Sequence, residues 1–480
     1  MDYCRNRQLV HDILDRKTKS PNYKGIDWRF CLNLFRIIAL ALSLLLVADD
    51  VAWAQQAGPS LLRDSELENT LKTISIPIFQ AAGLDKSAVR AYVVNDKDLN
   101  AFVAGGENVF VNSGLITTVR NVNELIGVIA HETGHLAGGH LARFNEGLKG
   151  ASAIAILSMV LGAAAMAAGA GDAGAAIAMG GQEAAQRSVL AYSRVQESAA
   201  DQAGLSYLQK TGQSGRGLVS FLSYLGDQEA LMTTNKDPYI RSHPLTEDRV
   251  ERLEHAAKES PFYNAPEPAL YVDLFKRMQA KVRGYLDPPY VTFQNYPLTD
   301  NSLYARYARA YAYYRQHDID KAMAEADSLI KDYPNDPYFH ELKGFLYVEE
   351  GKIRESLEPY RLAIKEKSDE PLILTALGQS LVALNDPKLN DEAIKVLTAA
   401  NRYDNENSLT WLQLATVYYR DGNEGMAHLA TAESYVLDGD IQGAILHANQ
   451  AVKQLKTGTP AWLKAQDILY VARSNNEKRR

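Results

Sequence analysis

Residues 131–135 of this 480-residue chain read His-Glu-Thr-Gly-His, a spacing that suits metal chemistry. Residues four apart lie on one face of an α-helix, so His131 and His135 can direct their imidazoles at a single ion. Glu132 lies about 100° around the same helix, close enough to act as a base on water at the ion without being a ligand. The alternative to a metal site is a hydrogen-bonded histidine pair in an ordinary core. A third ligand is needed to distinguish the two.

A catalytic zinc site usually has three protein ligands and one open position. His140 is the nearest candidate, but on a continuous helix it would point away from the face that carries His135, so we expect it not to bind. Glu197 and Asp201 are also four residues apart, and the residues around them are small. They would share a helical face that can pack closely against another helix.

Two carboxylates on such a packed face are costly to bury unless a cation lies opposite them. A zinc ion on the first helix would supply that charge. Glu197 would then complete a site of two histidines and one glutamate, and Asp201 would accept the remaining N–H of a ligating histidine. A solvated helix face with ordinary salt bridges is the alternative.

Hydrophobic periodicity predicts the elements that must position these residues. The histidine motif falls in a helix over 121–144, with Asn121 or Asn123 as its cap, and the two carboxylates fall in a helix over 183–212. Short strands around a turn are predicted from residues rich in β-branched and aromatic side chains. The other predicted elements are helices at 64–84, 214–226 and 270–286 and strands within 89–95 and 100–116.

The N-terminal segment resembles a secretory leader. Lys24, Arg29 and Arg36 precede an apolar run at 37–47, which is followed by Ala-Trp-Ala at 52–54, a signal-peptidase pattern. We expect residues 1–54 to be a signal peptide; an uncleaved anchor is the alternative. Both cysteines, Cys4 and Cys31, lie there, so the mature chain would have neither disulfides nor thiolate ligands.

Charge and composition limit the classes of partner that the chain is expected to bind. The net charge is −7 and no long basic run occurs, which argues against nucleic acid. The segment 150–181 is rich in alanine and glycine. We predict a hairpin or loop there that contacts a membrane surface or a partner; a buried helical pair and a membrane span are the alternatives.

From about residue 303 the sequence becomes repetitive. Gly344 and Tyr347 align with Ala310 and Tyr313 at a shift of 34 residues, and small and aromatic residues recur in later copies. This pattern resembles the tetratricopeptide repeat, in which paired helices stack into a solenoid. About three extra residues interrupt the third unit near 385–391. A plain helical bundle is the alternative.

The two motifs together resemble a known family. H-E-x-x-H followed some sixty residues later by S-R-x-x-E-x-x-A-D, at 193–201, is similar to the M48 family of zinc peptidases. The resemblance implies a mainly α fold: a gluzincin-type peptidase domain with a small β-sheet, followed by an α-solenoid of tetratricopeptide repeats. The expected divisions are a signal peptide at 1–54, a peptidase domain at 55–260, a connector with one helix at 261–300 and repeats at 301–475.

The resemblance also implies roles for individual residues. One Zn²⁺ per chain would bind His131, His135 and Glu197, with Glu132 as general base and Asp201 behind the ligands. The stretch 243–249 matches the family's H-P-x-x-x-x-R, which brings two further residues to the site. His243 would either occupy the open zinc position at rest, as in periplasmic relatives, or steady the oxyanion, with Arg249 nearby.

The implied function is a periplasmic zinc endopeptidase of a Gram-negative bacterium, either free or associated with the membrane, that degrades misfolded or stalled envelope proteins. The repeats would recruit outer-membrane assembly machinery or restrain the protease. A chaperone-like scaffold with a latent protease site is the alternative, although a structural metal site needs no general base such as Glu132. Substrate would add as a β-strand to an edge strand formed by Asn108, Val109, Phe110 and Val111.

Overall fold

The computed structural model describes residues 60–85, 90–104, 108–140, 157–159, 171–231 and 243–478. The predicted signal peptide lies outside these residues. So does most of the predicted surface segment 150–181, of which residues 157–159 and 171–181 are described and helical. Among the described helices, none is long and apolar enough to cross a membrane.

A four-stranded sheet lies in the first half of the chain. Its order is β1-β2-β4-β3, with β1 antiparallel to β2, β2 parallel to β4, and β3 antiparallel to β4. Phe110 on β4 pairs with Tyr92 and Phe102, and its ring stacks on both of theirs. The strands are β1 (Ser60–Leu62), β2 (Arg90–Asn95), β3 (Ala101–Ala104) and β4 (Asn108–Asn112).

This order corrects the expected substrate strand. Residues Asn108, Val109, Phe110 and Val111 belong to β4, which is paired on both sides and therefore offers no free edge. The prediction was wrong because β3 returns outside β4 instead of beside β2. Within the described residues, β3 is the strand at that edge of the sheet, and it packs against the helix that carries the histidine motif.

Helices surround the sheet and form one core with it. The first begins at Asp64, whose side chain accepts hydrogen bonds from the backbone of Glu66 and Leu67, as expected for a helix cap. Its apolar stripe belongs to the same buried core as Val111 and Ile129. The helices of this half are α1 (Ser65–Ala81), α2 (Ser113–Thr118), α3 (Val122–Ala137), α4 (Gly171–Lys210), α5 (Arg216–Leu231) and α6 (Glu247–Lys258).

Two of these helices differ most from the predicted bounds. The alanine-rich residues after Gly171 extend α4 well before the predicted start at 183, since alanine favours the helix strongly. In the motif helix, α3 ends at Ala137, before the predicted end at 144, and a turn follows at Gly138 and Gly139.

The connector holds two helices, α7 (Ala269–Leu286) and α8 (Pro289–Asn295), where one was predicted. The second starts with a proline, which is favourable in the first turn because no helical partner exists there for a backbone N–H. Phe275, Met278 and Val282 of α7 are buried in the core of the first half. The helix α7 is thus part of the packed structure and not a loose spacer.

Paired helices fill the second half. The first helices of three units begin at Leu303, Pro337 and Pro371, which are 34 residues apart. The predicted insertion is a 3-10 turn at Pro387–Leu389. The helices are α9 (Leu303–Arg315), α10 (Ile319–Asp332), α11 (Pro337–Glu349), α12 (Ile353–Glu366), α13 (Pro371–Ala383), α14 (Asn390–Tyr403), α15 (Ser408–Arg420), α16 (Glu424–Leu437), α17 (Ile441–Gln454) and α18 (Pro460–Lys478).

The predicted fold class is confirmed: a mainly helical protein with a small sheet, followed by helical repeats. The two halves meet at a buried cluster of charges. Glu66 on α1 is 1% exposed and lies 2.6 Å from Nε of Arg277 on α7. Tyr307 of the first repeat donates its hydroxyl to the same carboxylate, and Arg277 also binds Asp336. The start of the repeats is therefore fastened to the first helix of the other half.

Candidate metal centre

The motif helix α3 begins at Asn121, whose side chain accepts a hydrogen bond from the backbone N–H of Glu124. Its apolar residues bury it completely over two turns, so the motif sits inside the protein and not on its surface. His131 and His135 project from the same side, with their Nε2 atoms 3.0 Å apart. The predicted one-turn spacing thus brings both imidazoles together.

The carboxylate helix α4 passes very close to α3 because glycines and alanines line the contact. A Cβ atom placed on Gly134 would lie 2.7 Å from the backbone oxygen of Ala200, and one on Gly204 would lie 3.2 Å from Ala130. Larger side chains at these positions would push the helices apart. Close packing is what allows carboxylates on α4 to reach histidines on α3.

Glu197 on α4 lies between the two motif histidines. Its oxygens are 3.4 Å from Nε2 of His131 and 3.3 Å from Nε2 of His135. Burial opposes ionisation of this carboxyl, but hydrogen bonds from the surrounding histidines outweigh it and hold the pKa of Glu197 far below its usual range. An ionised glutamate at this point is ready to bind a cation.

Asp201, one turn further along α4, lies on the other side of His131. Its Oδ1 is 2.9 Å from Nδ1 of His131, although the direction departs from ideal hydrogen-bond geometry. Burial opposes ionisation of Asp201, but hydrogen bonds from Arg249 and the nearby His131 ring lower its pKa to about 2. Burial likewise opposes protonation of His131, yet the Asp201 and Glu197 carboxylates raise its pKa to about 10.

His243 comes from the segment that precedes α6 and completes the group. Its Nδ1 is 3.1 Å from Oε1 of Glu197 and 3.3 Å from Nε2 of His131. Ligand atoms of His131, His135, Glu197 and His243 all lie within 4.8 Å of one another. These four side chains are the described residues that can hold a metal ion together.

The spacing within this group fits a tetrahedral metal. Ligands about 2.0–2.1 Å from a tetrahedral ion lie roughly 3.3–3.4 Å from one another. The distances among the four side chains given above run from 3.0 to 3.4 Å. Imidazole nitrogens and a carboxylate oxygen are also donors that divalent transition metals accept.

Glu132 lies next to this group and not within it. It is 1% exposed, and its Oε1 is 3.4 Å from Nε2 of His243 without hydrogen-bond geometry. Burial, the largest influence, raises its pKa above the ordinary value. A carboxyl with a raised pKa beside a metal site is suited to accept and return a proton.

Arg249 lies at the site, as the resemblance implied, with its guanidinium directed at the carboxylates. Its guanidinium binds both oxygens of Asp201, at 2.7 and 2.9 Å, and lies 2.9 Å from Glu197. It also donates to the backbone oxygens of Pro244 and His243. These contacts direct it at the carboxylates and the His243 segment, so the geometry favours a positioning function over contact with an oxyanion.

His140 lies outside the group of four, as expected, but not for the expected reason. Its Nδ1 is 3.0 Å from Nδ1 of His135, on the ring edge opposite the one that faces Glu197. Sequence reasoning missed this contact and missed Gln196, which donates to the backbone oxygen of His140. The signal was present in Gly138-Gly139, a pair that commonly ends helices.

Comparison with known proteins agrees with this geometry. Residues 62–257 match the family described as Peptidase family M48. This chain contains an M48 peptidase domain. It is a metalloprotease, as the family and the names of its relatives indicate. The matched residues include β2 to β4, α1, the two helices that carry His131, His135 and Glu197, and the segment with His243.

Relatives of the whole chain carry the same name. A "Beta-barrel assembly-enhancing protease" of Yersinia pestis is 24% identical over 411 residues, covering 84% of this chain and 83% of the relative. The protein of that name from Escherichia coli K12 is 23% identical over 410 residues, covering 83% and 81%. Both alignments extend well beyond the M48 domain and into the repeats.

A solved structure resembles part of this chain only slightly. A thermophilic tetratricopeptide-repeat protein of Thermus thermophilus is 18% identical, with a TM-score of 0.22, and covers 34% of this chain and 95% of that one.

Proposed function

We propose that this chain is a zinc-dependent endopeptidase of the Gram-negative periplasm that degrades misfolded or stalled envelope and outer-membrane proteins. The observation that carries the proposal is the metal centre itself: four metal-binding side chains around one point, with the buried Glu132 beside them. The name shared by relatives from two Gram-negative species supports the envelope as the setting.

Zinc is the metal that suits this donor set best. Three imidazoles and one carboxylate are typical zinc ligands, and the chain has no cysteine after Cys31 that could make a thiolate site. His131, His135 and Glu197 would hold one zinc ion, and Asp201 would fix the ring of His131. Their mutual distances support tetrahedral binding.

The chemistry divides between the ion and the protein. When bound, zinc would acidify a water molecule and polarise the scissile carbonyl. Glu132 would take the proton of the attacking water and pass it to the leaving amine, a step for which a raised pKa is favourable. Arg249 would keep the Asp201 carboxylate ionised and in place through its two hydrogen bonds.

His243 would serve as the resting occupant of the fourth metal position. Its Nδ1 lies within 3.3 Å of both Glu197 and His131, the distance of a neighbouring ligand. Substrate would have to displace this side chain before a carbonyl could reach the metal. A protease held closed in this way would not cleave newly secreted proteins that have yet to fold.

Substrate would add to the outer edge of β3 instead of β4. That edge is unpaired within the described residues, and β3 packs on α3 next to the metal centre. Strand addition uses backbone hydrogen bonds, so it would accept many unfolded sequences. Proline at Phe102 or Val103 removes a backbone N–H from alternate sides of β3; no loss of peptide cleavage in either variant would contradict this assignment.

The repeats would recruit a partner or restrain the protease. Arg63 and Arg90, from the sheet region, pair with Asp404 and Glu406 at the end of the third repeat unit. These contacts would keep the array against the M48 domain until a component of the outer-membrane assembly machinery engages it. A leader at 1–54 would export the chain, and 150–181 would contact a membrane surface.

The deciding experiment compares wild type with Glu132→Gln on a urea-unfolded outer-membrane protein. Loss of the base should reduce cleavage at least about 100-fold, whereas zinc content should stay near one per chain. Chelation should abolish wild-type cleavage, and added zinc should restore it. Equal cleavage by both proteins would refute the mechanism, and rescue of an envelope defect by Glu132→Gln would favour the scaffold alternative.

A further inference from the structure

We propose that His140 is a positioning residue for the metal ligand His135; the proposal rests on the zinc site proposed above. Nδ1 of His140 lies 3.0 Å from Nδ1 of His135, and the two rings meet edge to face with centroids 5.0 Å apart. Nε2 of His135 faces Glu197 and His131. His140 therefore holds the one ring nitrogen of His135 that the metal does not use.

The chain reaches this position through a glycine turn. The helix α3 ends at Ala137, Gly138 is still helical, and Gly139 has a φ of +62°, which glycine adopts without steric cost. This left-handed residue reverses the path at the helix end, so His140 returns toward the turn that carries His135. On a continuous helix the same residue would point elsewhere.

The pocket around His140 is built to keep the ring in place. A Cβ atom on Gly138 would lie 2.4 Å from Nε2 of His140, so the ring occupies space that any other residue at 138 would need. Gln196 donates its side-chain amide to the backbone oxygen of His140 at 3.3 Å. Gln196 precedes Glu197 on α4, so one helix supplies a metal ligand and secures His140.

Proton placement explains why an imidazole fits here. A histidine that binds metal through Nε2 is neutral and carries its proton on Nδ1. That N–H needs an acceptor, and partners of this kind fix the ring orientation of metal-bound histidines. Nδ1 of His140 can accept when its own proton lies on Nε2. His140 is only 7% exposed, which limits competition from water for this hydrogen bond.

The two motif histidines are thus secured in different ways. His131 lies against the carboxylate of Asp201, which Arg249 keeps ionised. His135 lies against the imidazole ring of His140. Since loss of such a partner commonly weakens metal binding about 10–100-fold, His140 should matter to zinc affinity although it never touches the ion.

The test measures zinc dissociation by chelator competition in the full-length protein. His140→Leu keeps much of the volume but cannot accept a hydrogen bond, whereas His140→Gln can. We expect His140→Leu to bind zinc about 10–100-fold more weakly and His140→Gln to recover a large part of that loss. The exposed residue change His255→Ala should leave affinity unchanged.

Two results would overturn the proposal: wild-type affinity in His140→Leu, or equal weakening in the Leu and Gln variants, which would indicate a steric effect alone. Should His140→Leu fail to fold, Gly138→Ala displaces the ring while keeping the histidine, and wild-type zinc affinity in that variant would overturn the proposal as well. If wild type itself binds no zinc, the proposed function fails instead.

Discussion

Nδ1 of His243 lies 3.1 Å from Oε1 of Glu197, at the fourth corner of the metal-binding group. In the proposed zinc site, a side chain at this corner would compete with a substrate carbonyl for the same position. Access to the metal would therefore depend on the position of the segment before α6, which carries His243.

Replacement of His243 by alanine should therefore raise peptide cleavage. If the open form is a minor state, populated at about 0.1–10%, removal of the occupant should increase kcat/KM about 10-fold or more. Hydrolysis of a short fluorogenic peptide checks this, because a short peptide needs no help from the repeats. A fall in activity would instead assign His243 to stabilisation of the oxyanion.

Gly134→Ala should separate α3 from α4. The new methyl group would lie 2.7 Å from the backbone oxygen of Ala200, and backbone cannot move aside cheaply. Overpacking of this kind costs about 1–3 kcal/mol of unfolding free energy, and the displaced helices should also bind zinc less well. Urea unfolding and zinc titration measure the two effects.

Gly226→Ala is a matched control on α5. Its methyl group would meet only Leu245 at an ordinary 3.4 Å. Alanine is the better helix former, so this variant should be unchanged or slightly more stable. Equal destabilisation by both substitutions would show that the α3–α4 contact has no special importance.

Arg277→Gln should destabilise the junction between the M48 domain and the repeats. Glu66 would remain buried with Lys281, 3.5 Å away, as its remaining cation, and a broken buried ion pair costs up to about 3–5 kcal/mol. Arg361→Gln is the control, because Arg361 makes an equally short pair with Glu392 on the surface, where such pairs contribute about 0–1 kcal/mol. Similar losses in both variants would contradict the prediction.

Glu341, on α11 beside this junction, should make stability depend on pH. Burial raises its pKa to about 8, with the neighbouring Asp64 and Glu66 adding to the effect and Lys281 opposing it, against 4.5 for an ordinary glutamate. Between these values the folded protein holds a proton that the unfolded chain has lost. The contribution of Glu341 to stability is therefore greatest at acidic pH and falls as pH rises toward 8.

Glu341→Gln removes this titration. Relative to wild type, the variant should gain stability as pH increases from 5 to 8, by up to about 1.4 kcal/mol for each pH unit. Ser65 can still donate to the remaining side-chain oxygen, so the local contact is kept. Unfolding curves at four pH values test this, and a difference that does not change with pH would disprove it.

Local spacing explains what could be predicted. The pairs His131–His135 and Glu197–Asp201 depend only on helical periodicity, and the structure brings them together across one tightly packed contact. The 34-residue period likewise follows from a repeated local pattern. In both cases the signal lies within a few turns of helix.

What could not be predicted depends on the path of the chain. Strand order is not local, so the pattern of residues within β4 cannot show that β3 lies outside it. The position of His140 depends on the left-handed turn at Gly139, and the direction of Arg249 depends on how the segment from His243 enters α6. Hydrophobic periodicity predicts which face of a helix a residue lies on. It does not predict the path of the chain beyond the end of the helix.

The burial of Glu66 affects how cooperatively the protein unfolds. Its carboxylate binds Arg277 of α7 and Tyr307 of the first repeat, and Arg277 also pairs with Asp336, so unfolding of either half removes partners from buried polar groups of the other. Residues 59–480 also form a single compact unit by their contacts. Heating should therefore give one cooperative calorimetric transition, and a peptidase half expressed without its repeats should be poorly soluble.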